Sequence, residues 1–302
     1  MGISNRQLID KAAISLSSFT NGGVMTPEQS AQFFRMVQGA PTLLKDARLV
    51  QMKSDQVKLE KAGFGSRILR SGDSADANAS GTIQLNGKEI VAEIGITYDS
   101  IENNLEGTTV EDALMQMLAE RVAVDLEELV VNGDAASSDP FLKLMNGVRK
   151  QAVSHVVDQA SAAFDQSAFK NAYMAVPSKF LRNPAEWRFY TSHAVDVAWK
   201  QMVAATQPTI GDTTTQSNST SVYGIPVQGL AMLQNYNDGA GNLVSDMLLT
   251  HPKNIVVGLN RDIRIEVDKD IRARQFIVVL TAKIDATFEE EDAVAKVIKV
   301  KA

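Results

Sequence analysis

The 302-residue chain contains no cysteine, which excludes a disulfide framework, a thiol nucleophile and a thiolate metal centre. Histidine is almost as scarce. His155, His193 and His251 stand far apart, with none of the His-x-x-x-His or His-Glu spacings that zinc requires, and each reads as structural. No stretch approaches the roughly 18 uninterrupted apolar residues of a membrane span, and the N-terminus lacks the apolar run of a secretory signal. Phosphate-binding and dinucleotide glycine loops are missing, as is a Gly-x-Ser-x-Gly elbow. Gly72-Asp73-Ser74 is like the nucleophile block of one hydrolase class, yet no Asp-x-x-His supplies a base. Asp76, Asn78, Ser80 and Gly81 match the first half of a calcium loop, but Gly87 stands where the bidentate glutamate belongs. No catalytic, cofactor-binding or metal residue is therefore expected.

The charge that is present is unevenly spread. The net value of -6 argues against a nucleic-acid reader, which needs a concentrated basic surface. Residues 1–70 carry ten Lys/Arg against five Asp/Glu, whereas residues 71–140 carry two against fifteen. A basic arm precedes an acidic middle.

The acidic middle contains one long predicted helix, 107–133. Thr109 and Asp112 stand at capping-box spacing and Asn132-Gly133 is a stop. Leu114, Leu118, Val122, Leu126 and Leu129, flanked by Met117 and Val124, form an apolar stripe that must pack on other structure. Asp125, Glu127 and Glu128 lie near the C-terminal end, where the helix dipole disfavours carboxylates, and Arg121 is the one base on the helix. Something basic elsewhere is expected to face them. A carboxylate metal cluster is the weaker reading, because no histidine or second carboxylate helix accompanies it.

Before this helix, residues 1–57 read as an arm with short helices near 6–16 and 27–39. Residues 57–98 read as a β excursion with limbs at 57–69 and 82–98 and a polar tip at 71–81. Ile90, Ala92, Ile94, Ile96 and Tyr98 share one face of the return limb, and Asn86-Gly87 marks a turn or bulge. After it come a helix near 166–176, a buried strand with Trp187, Phe189 and Tyr190, and a helix at 192–205 turning Val195, Trp199, Met202 and Val203 inward. A polar low-complexity loop occupies 206–221. Strands then dominate: 225–230, 247–249, 255–257, alternating Ile263, Ile265 and Val267, the run 276–280, then Ile284, Ala286, Phe288 and 294–300.

Several phrases in this order are similar to one family. Lys88-Glu-Ile-Val-Ala-Glu-Ile-Gly-Ile-Thr97 with Ile101-Glu-Asn-Asn resembles the descending limb of its extended loop, and Val130-Val-Asn-Gly-Asp134 the end of its spine helix. Trp187-Arg-Phe-Tyr-Thr-Ser192, Tyr223-Gly-Ile-Pro-Val227 and Thr250-His-Pro-Lys-Asn-Ile-Val-Val-Gly258 resemble its axial-domain phrases, and 263–301 its closing strands. The whole chain thus resembles the major capsid proteins of tailed bacteriophages. The resemblance implies an α+β, Hong Kong 97-like fold: arm 1–57, extended loop (β-hairpin) 58–96, peripheral domain 97–164 with spine helix 109–131, axial domain 165–260, and closing strands 261–302 shared by both domains.

It further implies a structural protein, not an enzyme, that assembles with itself as hexamers and pentamers into an icosahedral shell around double-stranded DNA. The axial domain would meet at capsomer centres, and the basic arm would reach acidic surface on a neighbour. The expected place is the virion, after synthesis in the host bacterial cytoplasm, with no membrane contact and non-specific contact with packaged DNA. The chain starts at an arm, where the family's type member has a cleaved scaffold segment; a separate scaffolding protein is implied, along with a portal and a possible decoration protein. Some members crosslink a loop lysine; Lys88 is the only lysine between residues 71 and 142, and nothing near it in sequence would activate it. Lys88, Asp125, Glu127 and Glu128 are the expected assembly contacts. The competing readings are an encapsulin-like nanocompartment shell and, more remotely, a soluble hydrolase with an unrecognised site.

Overall fold

The computed structural model describes residues 42–52, 54–60, 82–97, 110–206, 220–260 and 264–301. The helices expected at 6–16 and 27–39, the excursion tip with its hydrolase-like and calcium-like residues, Thr109, and most of the 206–221 loop lie outside them.

In chain order the first elements are α1 Thr42–Asp46, β1 Arg48–Met52, β2 Gln56–Glu60, β3 Thr82–Asn86, β4 Lys88–Thr97 and the long α2 Val110–Asn132. Then come α3 Val148–Gln151, β5 Val156–Asp158, α4 Ser167–Ala175, β6 Arg188–Thr191 and α5 His193–Thr206. The rest is β7 Thr220–Val222, β8 Ile225–Gly229, β9 Tyr236–Asn237, β10 Leu243–Thr250, β11 Ile255–Asn260, β12 Arg264–Asp270, β13 Gln275–Phe288 and β14 Val294–Val300.

The first sheet is organised by β13. β11 and β12 follow one another along one edge of it and β4 pairs along the other, all antiparallel, while β1 adds in parallel to β11. The sequence separates 276–280 from Ile284, Ala286 and Phe288, but they form one 14-residue strand. The reason is an unbroken period of two: Val278, Leu280, Ala282, Ile284, Ala286 and Phe288 are all buried. That face meets Ile90 of β4 and the buried side of α2 in one core.

The second sheet runs β5-β14-β10-β6-β8-β7, with β9 added on β10. Its core is aromatic. Phe169 of α4 is fully buried and meets the rings of Phe164, Phe189 and Trp199 edge-on at 4.9–5.6 Å between centroids. Val195 and Trp199 of α5 point into this core, with Met202 and Val203 half-buried against it. The excursion is represented by its base, where β2 and β3 pair antiparallel. Asn86-Gly87 is the point at which the chain leaves β2 and begins pairing with β13.

Candidate assembly surface

The long helix is the centre of the candidate surface. The expected stripe is buried where it is described, with Leu118, Val122, Leu126 and Leu129 at most 5% exposed. A second face is buried too: Ala119, Ala123, Val130 and Val131 are inaccessible. Two adjacent buried faces mean that the C-terminal half of α2 is wrapped on most of its circumference. Val124, expected beside the buried stripe, is instead 39% exposed.

Glu127 lies on that second buried face and departs from the expected outward placement. It is 5% exposed, and its Oε1 accepts the backbone N–H of Leu43 at 2.7 Å. A carboxylate at the start of α1 satisfies a donor that the short helix cannot satisfy itself. It therefore fastens α1 to α2 within one chain. Asp125 meets Arg121 of its own helix at 3.2 Å, and Glu128 is half-buried. Lys88 is exposed at the start of β4, opposite Ile284. Between Ile90–Gly95 of β4 and Arg121–Leu126 of α2 the surface opens into a groove of about 520 Å³, on whose rim Asp125 stands. The structure thus brings Asp125 to β4, leaves Lys88 just past the groove's end and removes Glu127 to the interior.

At the C-terminal end of α2, Gly133 and Gly147 pack backbone to backbone. The N–H of Gly147 donates to the Gly133 carbonyl at 2.8 Å, and a Cβ on either residue would lie within 2.8 Å of backbone atoms of the other turn. Beside them a polar cluster joins the second sheet to α3 and the end of α2. Asp246 of β10 is nearly inaccessible and accepts from Arg149 Nε at 2.5 Å and from Tyr236 Oη at 2.8 Å. The Arg149 guanidinium also covers the Tyr236 ring at 4.9 Å. Burial, with the hydrogen bond to Asp246, pushes the Tyr236 phenol up to about 12. Lys296 of β14 donates to the Arg149 carbonyl at 2.9 Å, and burial holds its amine below the ordinary lysine value.

The base of the excursion is held by polar contacts as well. Lys283 of β13 bonds both oxygens of Asp55 at 2.7 Å, and the Gly87 N–H donates to the Asp55 carbonyl at 2.8 Å. Asp285 accepts the Asn86 N–H at 2.7 Å; burial raises its carboxyl despite that bond. These clamps were not legible in sequence, because Asp55, Asn86 and Asp285 are joined only by strand register.

The histidines stay apart. His251 Nδ1 accepts the Lys253 N–H at 3.1 Å, Nε2 lies 3.5 Å from Glu186, and burial lowers its pKa. Among the described residues no three His, Asp or Glu side chains converge as a metal site, and no helix is long and apolar enough to cross a membrane.

No family model matches the chain. It is 51% identical to the Bacillus subtilis (strain 168) protein named "Putative prophage capsid protein YqbE", over 98% of this chain and 99% of that one. Among solved structures it superposes on the satellite phage P4 procapsid that includes the size determination (Sid) protein, with a TM-score of 0.63 at 13% identity, covering 99% and 98% of the two chains. The capsid of the empty GTA particle matches at a TM-score of 0.57 and 13% identity over 87% and 90%. The holo-SrpI encapsulin complex from Synechococcus elongatus PCC 7942 matches at 0.57 and 9% identity over 100% and 97%. At such identities the structural matches establish the fold, and the full-length relative establishes kinship: the chain belongs to the family of phage capsid proteins, built on the Hong Kong 97-like fold.

Proposed function

We propose that this protein is the subunit of an icosahedral phage shell, assembling with itself as hexamers and pentamers around double-stranded DNA and acting by assembly rather than catalysis. The observation that carries the proposal is kinship to a capsid protein along essentially the whole of both chains. In this reading the sheet built on β10 and β14, with α4 and α5, forms the axial domain and converges at capsomer centres. The sheet built on β13, with α2, forms the peripheral domain. The arm and extended loop cross to neighbouring subunits, where many weak contacts add up to a stable shell. Lys88, Asp125 and Glu128 are the proposed assembly contacts, while Glu127 serves the subunit's own fold. A separate scaffolding protein, a portal and a possible decoration protein complete the partners, and synthesis takes place in the host cytoplasm.

The encapsulin match supports a second reading, a compartment around protein cargo, since that fold spans the whole chain. Expression followed by size exclusion and negative-stain microscopy tests the shell itself; a monomer under all assembly conditions refutes it. Nuclease-protected DNA in particles from an induced prophage supports the first reading, and a co-purifying enzyme cargo without DNA supports the second.

A further inference from the structure

The groove between β4 and α2 and the tip of the β12–β13 hairpin differ in character: the first has an apolar floor beside carboxylates, and the second carries an exposed apolar side chain beside two arginines. The groove floor is apolar, made by Ile90, Ala92, Ile94, Val122, Leu126 and Phe141. Its volume of about 520 Å³ lies within the roughly 300–1,000 Å³ of sites that bury a ligand. Two carboxylates, Glu93 and Asp125, stand beside it against one base, Arg121. Among the described residues no strand pairs with the second edge of β4.

The hairpin tip is the converse. Ile271 is 77% exposed, more than any other large apolar side chain among the described residues, and exposed Arg272 and Arg274 flank it. The turn has a defined shape: Asp270 Oδ1 accepts the N–H groups of Arg272 and Ala273 at 2.9 and 3.0 Å, and Arg274 adopts φ +53°. The tip cannot fill the groove of its own chain. Seven register pairs hold the hairpin straight, and Gln275 stands opposite Thr97, so the tip projects past the end of β4. Ala92, in the groove, lies about 17 Å back along the same strand.

We propose that the hairpin tip at 271–274 of one subunit docks in the β4–α2 groove of a second copy, Ile271 filling the apolar floor while Arg272 and Arg274 face Glu93 and Asp125. The inference rests on the shell reading and names one of its contacts. Joining two different patches, the contact is heterologous, the kind that propagates from copy to copy into a ring or an array. Asp125 then has a use beyond its pair with Arg121, and the charges supply orientation while Ile271 supplies the buried area.

The absence of cysteine gives a clean test in the full chain. Ile271→Cys and Asp125→Cys subunits, made separately, are mixed under assembly conditions and oxidised; disulfide-linked dimers are expected from the mixture and from neither variant alone. Ile271→Asp is expected to raise the protein concentration needed for particles at least about tenfold, with the thermal midpoint of the unassembled subunit unchanged. Arg272→Glu with Arg274→Glu should weaken assembly, and Glu93→Lys with Asp125→Lys should restore it. Three results each overturn the proposal: Ile271→Cys copies linking only to one another, no mixed crosslink while the unaltered chain assembles, or Ile271→Asp assembling at the unaltered concentration. Failure of the unaltered chain to assemble refutes instead the shell reading.

Discussion

Replacing Glu127 separates a contact inside the subunit from one between subunits. The carboxylate is buried and holds the Leu43 N–H at 2.7 Å. Glu127→Ala strands that donor and opens a cavity beneath α1; a hydrogen bond to a charged group contributes about 1.5–3 kcal/mol, so the loss should be of that order. At about 1.6 °C per kcal/mol for a 302-residue chain, the thermal midpoint of the unassembled subunit should fall by roughly 2–5 °C. Glu127→Gln keeps one acceptor and should lose less. Glu127→Lys puts an ammonium into the same buried space and should lose more than Ala. None of these losses should respond strongly to salt, because buried pairs are poorly screened. The assay is circular dichroism melting below the assembly concentration, at low and high ionic strength. An unchanged midpoint in Glu127→Ala, with assembly weakened by Glu127→Lys only at low salt, would refute the internal role and return Glu127 to the subunit surface.

Four further outcomes are expected. Glu128→Lys should leave the subunit's melting within about 0.5 kcal/mol of the parent and weaken assembly in a salt-dependent way, read by light scattering; unaltered assembly would mean that the carboxylate only faces solvent. Deleting residues 1–40 should impair particle formation more than subunit stability, a ranking reversed if the arm's role is to fold the subunit. Arg149→Met removes the base from nearly inaccessible Asp246 and should cost about 3 kcal/mol of stability in urea unfolding, with Tyr236 left as one donor; a midpoint shift near zero would contradict the pairing. Because folding raises the Tyr236 phenol from 10 to about 12, the folded chain holds that proton more tightly. Its stabilising effect is complete below pH 10 and is lost as pH rises toward 12. Phenolate absorbance, with Tyr236→Phe as reference, measures this, and titration of Tyr236 at the ordinary value would contradict it.

Much of the architecture was legible because it rests on local periodicity. The helix predicted for 107–133 is described as Val110–Asn132, and those for 166–176 and 192–205 as Ser167–Ala175 and His193–Thr206. The alternation along β4 sends Ile90, Ala92 and Ile94 toward the core while Val91 is 62% exposed. The continuity of β13 was missed because Thr281 and Lys283 sit between its apolar residues and read as a break, although Ala282 carries the period of two across it. Phe169 is the hub of the aromatic core, a role that depends on rings distant in sequence and that the pattern of its own helix does not mark.

Glu127 shows where sequence reasoning about the candidate surface failed and what signal was available. Carboxylates near a helix C-terminus read as outward, but Ala119, Ala123 and Val130 recur at i, i+4 and i+3 or i+4 around it, the spacing of a second buried face. Small residues let another segment approach closely, and here that segment is α1, whose Leu43 and Leu44 are 1% and 2% exposed.

By itself the sequence determined the order of elements, the strand and helix faces, and the absence of thiol and zinc-spaced histidine chemistry, because each depends on residue type and short-range spacing. Tertiary structure alone decided which carboxylate turns inward, that Asp246 and Arg149 fasten α3 to the second sheet, and that β4 and α2 enclose a groove. Those outcomes depend on residues tens of positions apart meeting at distances of a few ångströms, and the docking of helices on sheets and on one another, which short-range spacing does not encode, sets those meetings.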